Sequence, residues 1–189
     1  MQLFRNFVEQ YQLIPNKDWA KISNSFRRRE VSKNEFLLKE GKVCRHLYFL
    51  EKGLLRYFIL KNGIEVTKFF TIAPYCFTSQ ASFNTNTPSK ENIQAIEKSV
   101  IWETTYEQNY KLLELKSWNL FARKITQEVQ FFTEEILEEL QSETAQNRYI
   151  KMLNNQGELL QRIPQKVLAS YLGIAPQSLS RIRRKYAKS

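Results

Sequence analysis

Helix-like and strand-like hydrophobic patterns succeed each other in the first half of the chain. Residues 3–11 and 17–26 carry apolar residues at helical spacing, and Asn16 is well placed to cap the second segment. From residue 30 to about residue 102, the apolar runs become short and rich in aromatic and β-branched residues, which favours β-strands. The pattern therefore predicts two short helices followed by a β-domain.

Turn signals separate the strand-like runs at intervals of about ten residues. Asn62-Gly63 is the clearest of them, because a type I′ hairpin turn requires a positive φ at both central residues. A polar loop is expected at 84–92. The predicted strands are 47–50, 54–60, 66–70, 93–96 and 100–104. Regular spacing of this kind predicts an all-β barrel, roll or sandwich.

A long helix is predicted next, from about residue 118 to residue 141. Its apolar residues recur at steps of 4, 3, 4 and 4 between charged residues, and they are Ile125, Val129, Phe132, Ile136 and Leu140. A narrow apolar stripe of this length can pair with another helix or pack onto the chain's own β-domain. Both remain open. We favour homodimerisation, with an interface formed by Ile125, Val129, Phe132 and Ile136. A further helix is predicted from about 143 to 154, ending near Gly157.

Residues 165–184 have the spacing of a helix-turn-helix. Ala169 is small where two helices approach closely, and Gly173 suits the left-handed conformation that ends a helix. Pro164 and Pro176 fit the first position of each helix, where a missing N–H costs nothing. The apolar positions expected to pack the two helices together are Leu168, Leu172, Ile174, Leu179 and Ile182.

The second of these helices carries amide and basic side chains on the face opposite its apolar positions. They are Gln177, Arg181, Arg184 and Lys188, flanked by Ser178 and Lys185. Arginine can bind guanine, and glutamine adenine, through paired hydrogen bonds in a major groove. We therefore predict a DNA-binding site at Gln177, Ser178, Arg181, Arg184 and Lys185. A solvated basic face is the simpler interpretation. A membrane-surface helix is a weaker alternative, because the hairpin already occupies the apolar face.

The charge distribution also indicates a polyanionic partner. The formal net charge is +10, and residues 144–189 hold nine basic residues and one acidic residue, a net charge of +8. Hydrophobic residues make up 42% of the chain and charged residues 25%, which excludes a disordered protein. No apolar run approaches the roughly 18 residues of a membrane span. We expect a cytoplasmic protein without a membrane partner, in which Cys44 and Cys76 are reduced.

The residue sets that enzymes and metal sites require are missing. The chain has one histidine, His46, and two cysteines, too few for a four-cysteine iron–sulfur cluster or for the metal site of a β-barrel enzyme. It has no Ser/His/Asp set, glycine-rich phosphate loop or Cys-x-x-Cys pair. We therefore expect no catalytic residues, no metal site and no cofactor.

The order of these parts resembles the cyclic-AMP receptor/FNR (Crp/Fnr) family of bacterial transcription regulators. The resemblance covers nearly the whole chain and is strongest in 47–70 and 167–184. It implies an α+β fold: an N-terminal double-stranded, jelly-roll-like β-roll related to cyclic-nucleotide-binding domains, a long dimerisation helix and a C-terminal helix-turn-helix. The implied domains are 1–116, 117–142 and 143–189. It also implies a homodimer that binds a two-fold operator in double-stranded DNA, with RNA polymerase as a candidate partner.

The family's base-contacting positions fall on Pro176, Gln177 and Arg181. Pro176 cannot donate a hydrogen bond, whereas Gln177 and Arg181 can. We assign Arg184 and Lys185 to phosphate or flanking contacts. Only five residues follow Arg184 in this sequence, so the full β-hairpin wing of the family is not expected.

The nucleotide-binding segments of the family are also altered. Segments 77–83 and 89–91 stand where cyclic-nucleotide-binding members bind ribose and phosphate, and here the glycine, the ribose-binding glutamate and the phosphate-binding arginine of those members are absent. A cyclic phosphate needs a cation and backbone donors, so we expect no response to cyclic AMP. Candidate contacts for a different, unknown small-molecule effector are Phe77, Thr78, Ser79, Gln80, Ala81, Ser82 and Lys90. The alternative function is an effector-binding module that acts through protein or membrane contacts rather than DNA.

Overall fold

The N-terminal part of the chain folds as helices packed on a β-roll. The computed structural model describes residues 1–186, so Lys188 of the predicted basic face lies outside them. The helices are α1 (Gln2–Tyr11), α2 (Asn16–Asn24), α3 (Gln80–Thr85) and α4 (Tyr106–Leu112). The strands are β1 (Arg27–Val31), β2 (Phe36–Leu38), β3 (His46–Lys52), β4 (Leu54–Lys61), β5 (Ile64–Ile72), β6 (Tyr75–Phe77), β7 (Asn92–Ala95) and β8 (Ser99–Thr105).

Two antiparallel four-stranded sheets form the roll, in the orders β1-β8-β3-β6 and β2-β7-β4-β5. Side chains from both sheets meet in an apolar core that includes Leu50, Leu55, Tyr57, Ile93 and Ile101. The β4–β5 hairpin turns at Asn62 and Gly63, whose φ values are 52° and 75°. The hairpin prediction is thereby confirmed, because both residues adopt the positive φ of a type I′ turn.

Four helices make up the C-terminal part: α5 (Lys116–Ser142), α6 (Ala145–Arg162), α7 (Gln165–Leu172) and α8 (Pro176–Tyr186). The helix α5 has 27 residues. Its first two turns carry Trp118 and Phe121, which are buried against α1 and the β3–β6 side of the roll. The predicted long helix and the α+β fold class are confirmed. No helix among residues 1–186 is long and apolar enough to cross a membrane.

Two local predictions were wrong. Asn16 does not cap α2 but is its first residue, and its side chain accepts a hydrogen bond from Arg5 (2.8 Å). Pro164 precedes α7 rather than starting it. The helix α6 is interrupted at Gln156, whose backbone angles are non-helical (φ −144°, ψ 42°), so its first part ends near Gly157 as predicted, and a second helical part continues to Arg162. Leu159 and Leu160 of the second part are buried.

Candidate DNA-binding surface and effector site

The helices α7 and α8 form a helical pair around a left-handed residue. Gly173 has φ 71° and ψ 29°, and the Ile174 amide donates to the Ala169 carbonyl (3.0 Å). This backbone conformation favours glycine because a side chain would strain it. The residues buried between the helices are Leu168, Ala169, Leu172 and Leu179, with Ile174 and Ile182 partly buried against them. The apolar positions inferred from the sequence therefore pack as expected.

The opposite side of α8 is exposed. We call Gln177, Arg181, Arg184 and Lys185 the basic face of α8, and all four residues are exposed to solvent. Within residues 1–186, no protein group forms a hydrogen bond or an ion pair with these four side chains. Ser178, which we also predicted to bind DNA, is half-buried. The basic face is therefore free to contact an external anion or base edge.

Three other cations of the C-terminal segment are held by the protein itself. Arg148 is buried, and its guanidinium donates to the Leu172 carbonyl at the end of α7. A cation at that end also interacts favourably with the dipole of α7. Lys151 contacts Glu143 (3.0 Å) and Arg162 contacts Glu97 (2.7 Å). The +8 charge seen in the sequence therefore overstates the positive charge available to a partner, and the available charge is concentrated on α8.

The seven effector candidates do not converge on one cavity. Phe77 is buried and stacks on Tyr48, whereas Gln80, Ala81 and Lys90 are exposed. Thr78 donates to the His46 carbonyl (2.9 Å), and Ser82 donates to the Thr87 carbonyl (2.6 Å). The candidates that point inward are thus already bonded to their own chain.

Glu91, which the sequence analysis did not select, is the centre of the polar cluster in this region. Its side chain is largely buried and accepts hydrogen bonds from Ser79 (2.8 Å) and from the Lys68 ammonium of β5 (2.6 Å). The Ser89 hydroxyl donates to the Glu91 carbonyl (2.8 Å). No periodicity in the sequence marks this cluster, because its residues come from β5 and from the segments that precede α3 and β7. We call Lys68, Ser79, Ser89 and Glu91 the Glu91 cluster.

Aromatic residues fill the roll interior beside this cluster. Tyr57 is buried, stacks on Phe69 with ring centroids 4.3 Å apart, and donates to the Thr78 carbonyl (3.3 Å). Burial raises the pKa of the Tyr57 hydroxyl well above its usual value, so this group stays a neutral donor. Aromatic side chains of the protein itself therefore occupy the roll interior next to the Glu91 cluster.

Both cysteines are free and buried. Burial raises the pKa of the Cys76 thiol well above its usual value, which disfavours the reactive thiolate. Within residues 1–186, no group of three or more His, Cys, Asp or Glu side chains could hold a metal ion.

The stripe on α5 is divided between the roll and solvent. Ile125 packs against the cluster formed by α1, α2 and the roll, and the Phe132 ring faces Phe69 of β5 edge-on at 6.5 Å. Val129 and Ile136 are only half-buried. Further along, Leu140 is 54% exposed. Packing onto the roll therefore accounts for only part of the stripe.

Residues 28–116 match the profile of the cyclic nucleotide-binding domain. No curated protein sequence gave a match. FixK2 from Bradyrhizobium japonicum has a similar structure, with a TM-score of 0.73 and 16% identity over 86% of this chain and 85% of FixK2. The c-di-GMP-responsive global regulator CLP of Xanthomonas campestris has a TM-score of 0.69 and 13% identity over 92% of both chains.

The catabolite activator protein of Thermus thermophilus has a TM-score of 0.57 and 20% identity, over 93% of this chain and 84% of that protein. At these identities the likeness concerns the fold. The chain therefore has the α+β fold of the Crp/Fnr regulators, and its β-roll is similar to the cyclic nucleotide-binding domain.

Proposed function

We propose that this chain is a DNA-binding transcriptional regulator of the Crp/Fnr type, which acts as a homodimer on a two-fold operator and does not respond to cyclic AMP. The observation that carries the proposal is the basic face of α8. It is exposed, lies opposite the helix's buried residues, and belongs to a helix that follows a left-handed turn. A helix presented in this way fits the major groove of DNA.

Each side chain of the basic face suits a different contact with DNA. Arg181 can donate two hydrogen bonds to guanine O6 and N7, and Gln177 can pair with adenine N6 and N7. Arg184 and Lys185 lie further along α8, where they are suited to phosphate contacts. Lys166 of α7 is also exposed and adds a cation to the first helix of the pair. In two-helix readers of this type, the first helix crosses the DNA backbone.

Selection from a pool of random DNA duplexes tests the proposal and yields the operator with its half-site spacing. We expect the selected duplex to be retarded in a gel at low salt and to bind more weakly at high salt, because phosphate contacts release counterions. We also expect two half-sites about one helical turn, roughly 34 Å, apart. An absence of retardation at low salt would rule out the DNA-binding role.

In the proposed dimer, the α5 helices of the two protomers pair along a line of residues that we call the seam. The seam differs from the interface predicted from the sequence, because part of that interface contacts the roll. Seam positions recur at steps of 4, 3, 4, 3 and 4, the spacing of a left-handed coiled coil. The seam residues are Ala122, Thr126, Val129, Thr133, Ile136 and Leu140. Val129 and Ile136 of the predicted interface lie on this seam. Ile125 and Phe132 lie beside it and contact the chain's own roll.

The two threonines fit an apolar seam because their hydroxyl groups bond to their own helix. Thr126 donates to the Ala122 carbonyl (2.8 Å), and Thr133 donates to the Val129 carbonyl (2.7 Å). Their methyl groups are therefore free to pack against a second helix as valine would. Beside the seam, the exposed side chains of Phe132 and Leu137 can extend the contact across a parallel pair.

Cyclic AMP is expected not to bind the β-roll. The Glu91 cluster would place a carboxylate next to the anionic cyclic phosphate, and the cation of the cluster, Lys68, is already paired with Glu91. Isothermal titration with cyclic AMP and cyclic GMP is expected to show no saturable heat. A known cyclic-AMP-binding protein serves as the positive control, and saturable micromolar binding to this chain would contradict the prediction.

A further inference from the structure

The first helix of the pair, α7, contacts an edge strand of the β-roll. The strand β5 is the last strand of its sheet, so its outward backbone groups have no strand partner. The Ser170 hydroxyl of α7 donates to the Glu65 carbonyl (2.7 Å) and accepts from the Thr67 amide (2.9 Å). One side chain therefore satisfies both a donor and an acceptor that the edge strand leaves open.

A second polar contact lies at the end of α6. The Arg162 guanidinium forms two hydrogen bonds with the Glu97 carboxylate, at 2.7 and 3.1 Å, and a third with the Gly53 carbonyl at 3.1 Å. Glu97 and Gly53 lie in the turns before β8 and β4. The C-terminal end of α6 is thereby attached to the roll immediately before α7 begins.

The apolar core of the helix-turn-helix also includes residues of the roll. Leu54 and Ile96 of the roll are buried in the same cluster as Leu160 and Leu168 of the C-terminal helices. The helix-turn-helix therefore shares its core with the roll, and separating the two would expose apolar surface on both.

We propose, on the basis of the DNA-binding function proposed above, that Ser170 and Arg162 are positioning residues that fix α7, and through it α8, relative to the roll. The roll is in turn fixed to α5 through the burial of Trp118 and Phe121. In a dimer on a two-fold operator, these successive contacts set the distance and angle between the two α8 helices. Once one half-site is bound, a fixed geometry raises the effective concentration of the second helix at its own half-site.

Hydrogen exchange of the Thr67 amide tests the contact itself in the full chain. In Ser170→Ala this amide loses its acceptor, so we expect its exchange to accelerate at least about tenfold. Ser142→Ala is the matched control, because the Ser142 hydroxyl bonds only to the Glu138 carbonyl of its own helix. Unchanged Thr67 exchange in Ser170→Ala would overturn the proposal.

DNA titrations test the positioning role. On the selected two-half-site duplex, we expect Ser170→Ala to weaken binding roughly tenfold, since two hydrogen bonds to the backbone are lost. On a duplex with one half-site scrambled, we expect little change. Glu97→Gln removes the ion pair with Arg162. When it is combined with Ser170→Ala, we expect a further loss of affinity for the complete duplex but not for the duplex with one scrambled half-site.

Equal losses on both duplexes would mean that Ser170 stabilises α7 itself, which would overturn the positioning role. Failure of the unaltered chain to select any duplex would overturn the proposed function and the role at DNA together. The two failures are distinguishable, because Thr67 exchange reports the contact between α7 and β5 whether or not DNA is bound.

Discussion

Replacement of Ile136 with aspartate is expected to separate the proposed dimer and to lower affinity for the two-fold operator by at least about 100-fold. Ile136 is half-buried on α5 and lies on the seam between Thr133 and Leu140. In a dimer of this variant, the aspartates at position 136 of the two protomers would lie close together. Burying either carboxylate would carry a large desolvation free energy. Each protomer would then bind only one half-site. Sedimentation equilibrium and gel titration measure the two effects.

Gln127→Asp is the matched control for this variant. It adds the same charge to an exposed position of α5 that lies off the seam. We expect it to leave both the molecular mass in solution and the affinity for the operator nearly unchanged. Circular dichroism checks that α5 remains helical in both variants. A dimer that persists in Ile136→Asp would place the interface elsewhere.

Replacement of Arg181 with alanine is expected to weaken operator binding by about 1–3 kcal/mol per half-site and to relax the base preference at one position. Arg181 is exposed on α8, and its side chain has no partner within residues 1–186. Its full hydrogen-bonding capacity is therefore available for a base edge. Gel titrations with the selected operator and with single-base variants of it measure both the loss of affinity and the loss of discrimination.

Variants of two neighbouring arginines distinguish base recognition by Arg181 from a general effect of positive charge. Arg183→Ala removes the same charge from α8, but Arg183 is half-buried and lines a groove beside the α6 bend with Tyr149 and Leu153. We expect it to leave the base preference intact. Arg184→Ala is expected to weaken binding evenly across sequences and to reduce its salt dependence. If Arg181→Ala behaved in the same way as Arg184→Ala, the assignment of Arg181 to a base would be wrong.

The parts that could be predicted from the sequence are those governed by local rules. The Asn62-Gly63 hairpin follows from backbone preferences within two residues, and the turn at Gly173 follows from the spacing of glycine and apolar residues. The long helix α5 follows from a period sustained over several turns. In each case the determining interactions lie close together in the sequence.

The parts that could not be predicted depend on contacts between distant segments. The Glu91 cluster joins β5 to residues near β7, and Arg148 reaches the end of α7 from α6. The second helical part of α6, beyond Gly157, buries Leu160 in a core that includes Leu54. Which apolar residues of α5 face the roll and which face the seam likewise depends on the contacts of Ile125 with the roll. None of these contacts leaves a periodic trace in the sequence.

The hydrogen bonds of Ser170 to β5 have a consequence for folding and solubility. An open edge strand is a template for pairing with other chains, and proteins usually block such edges. Here a helix of the C-terminal segment provides the cover at Glu65 and Thr67. Until α7 has been synthesised and has docked, these backbone groups of β5 are open to pairing with other chains, so we expect the nascent roll to aggregate more readily before α7 docks than after it.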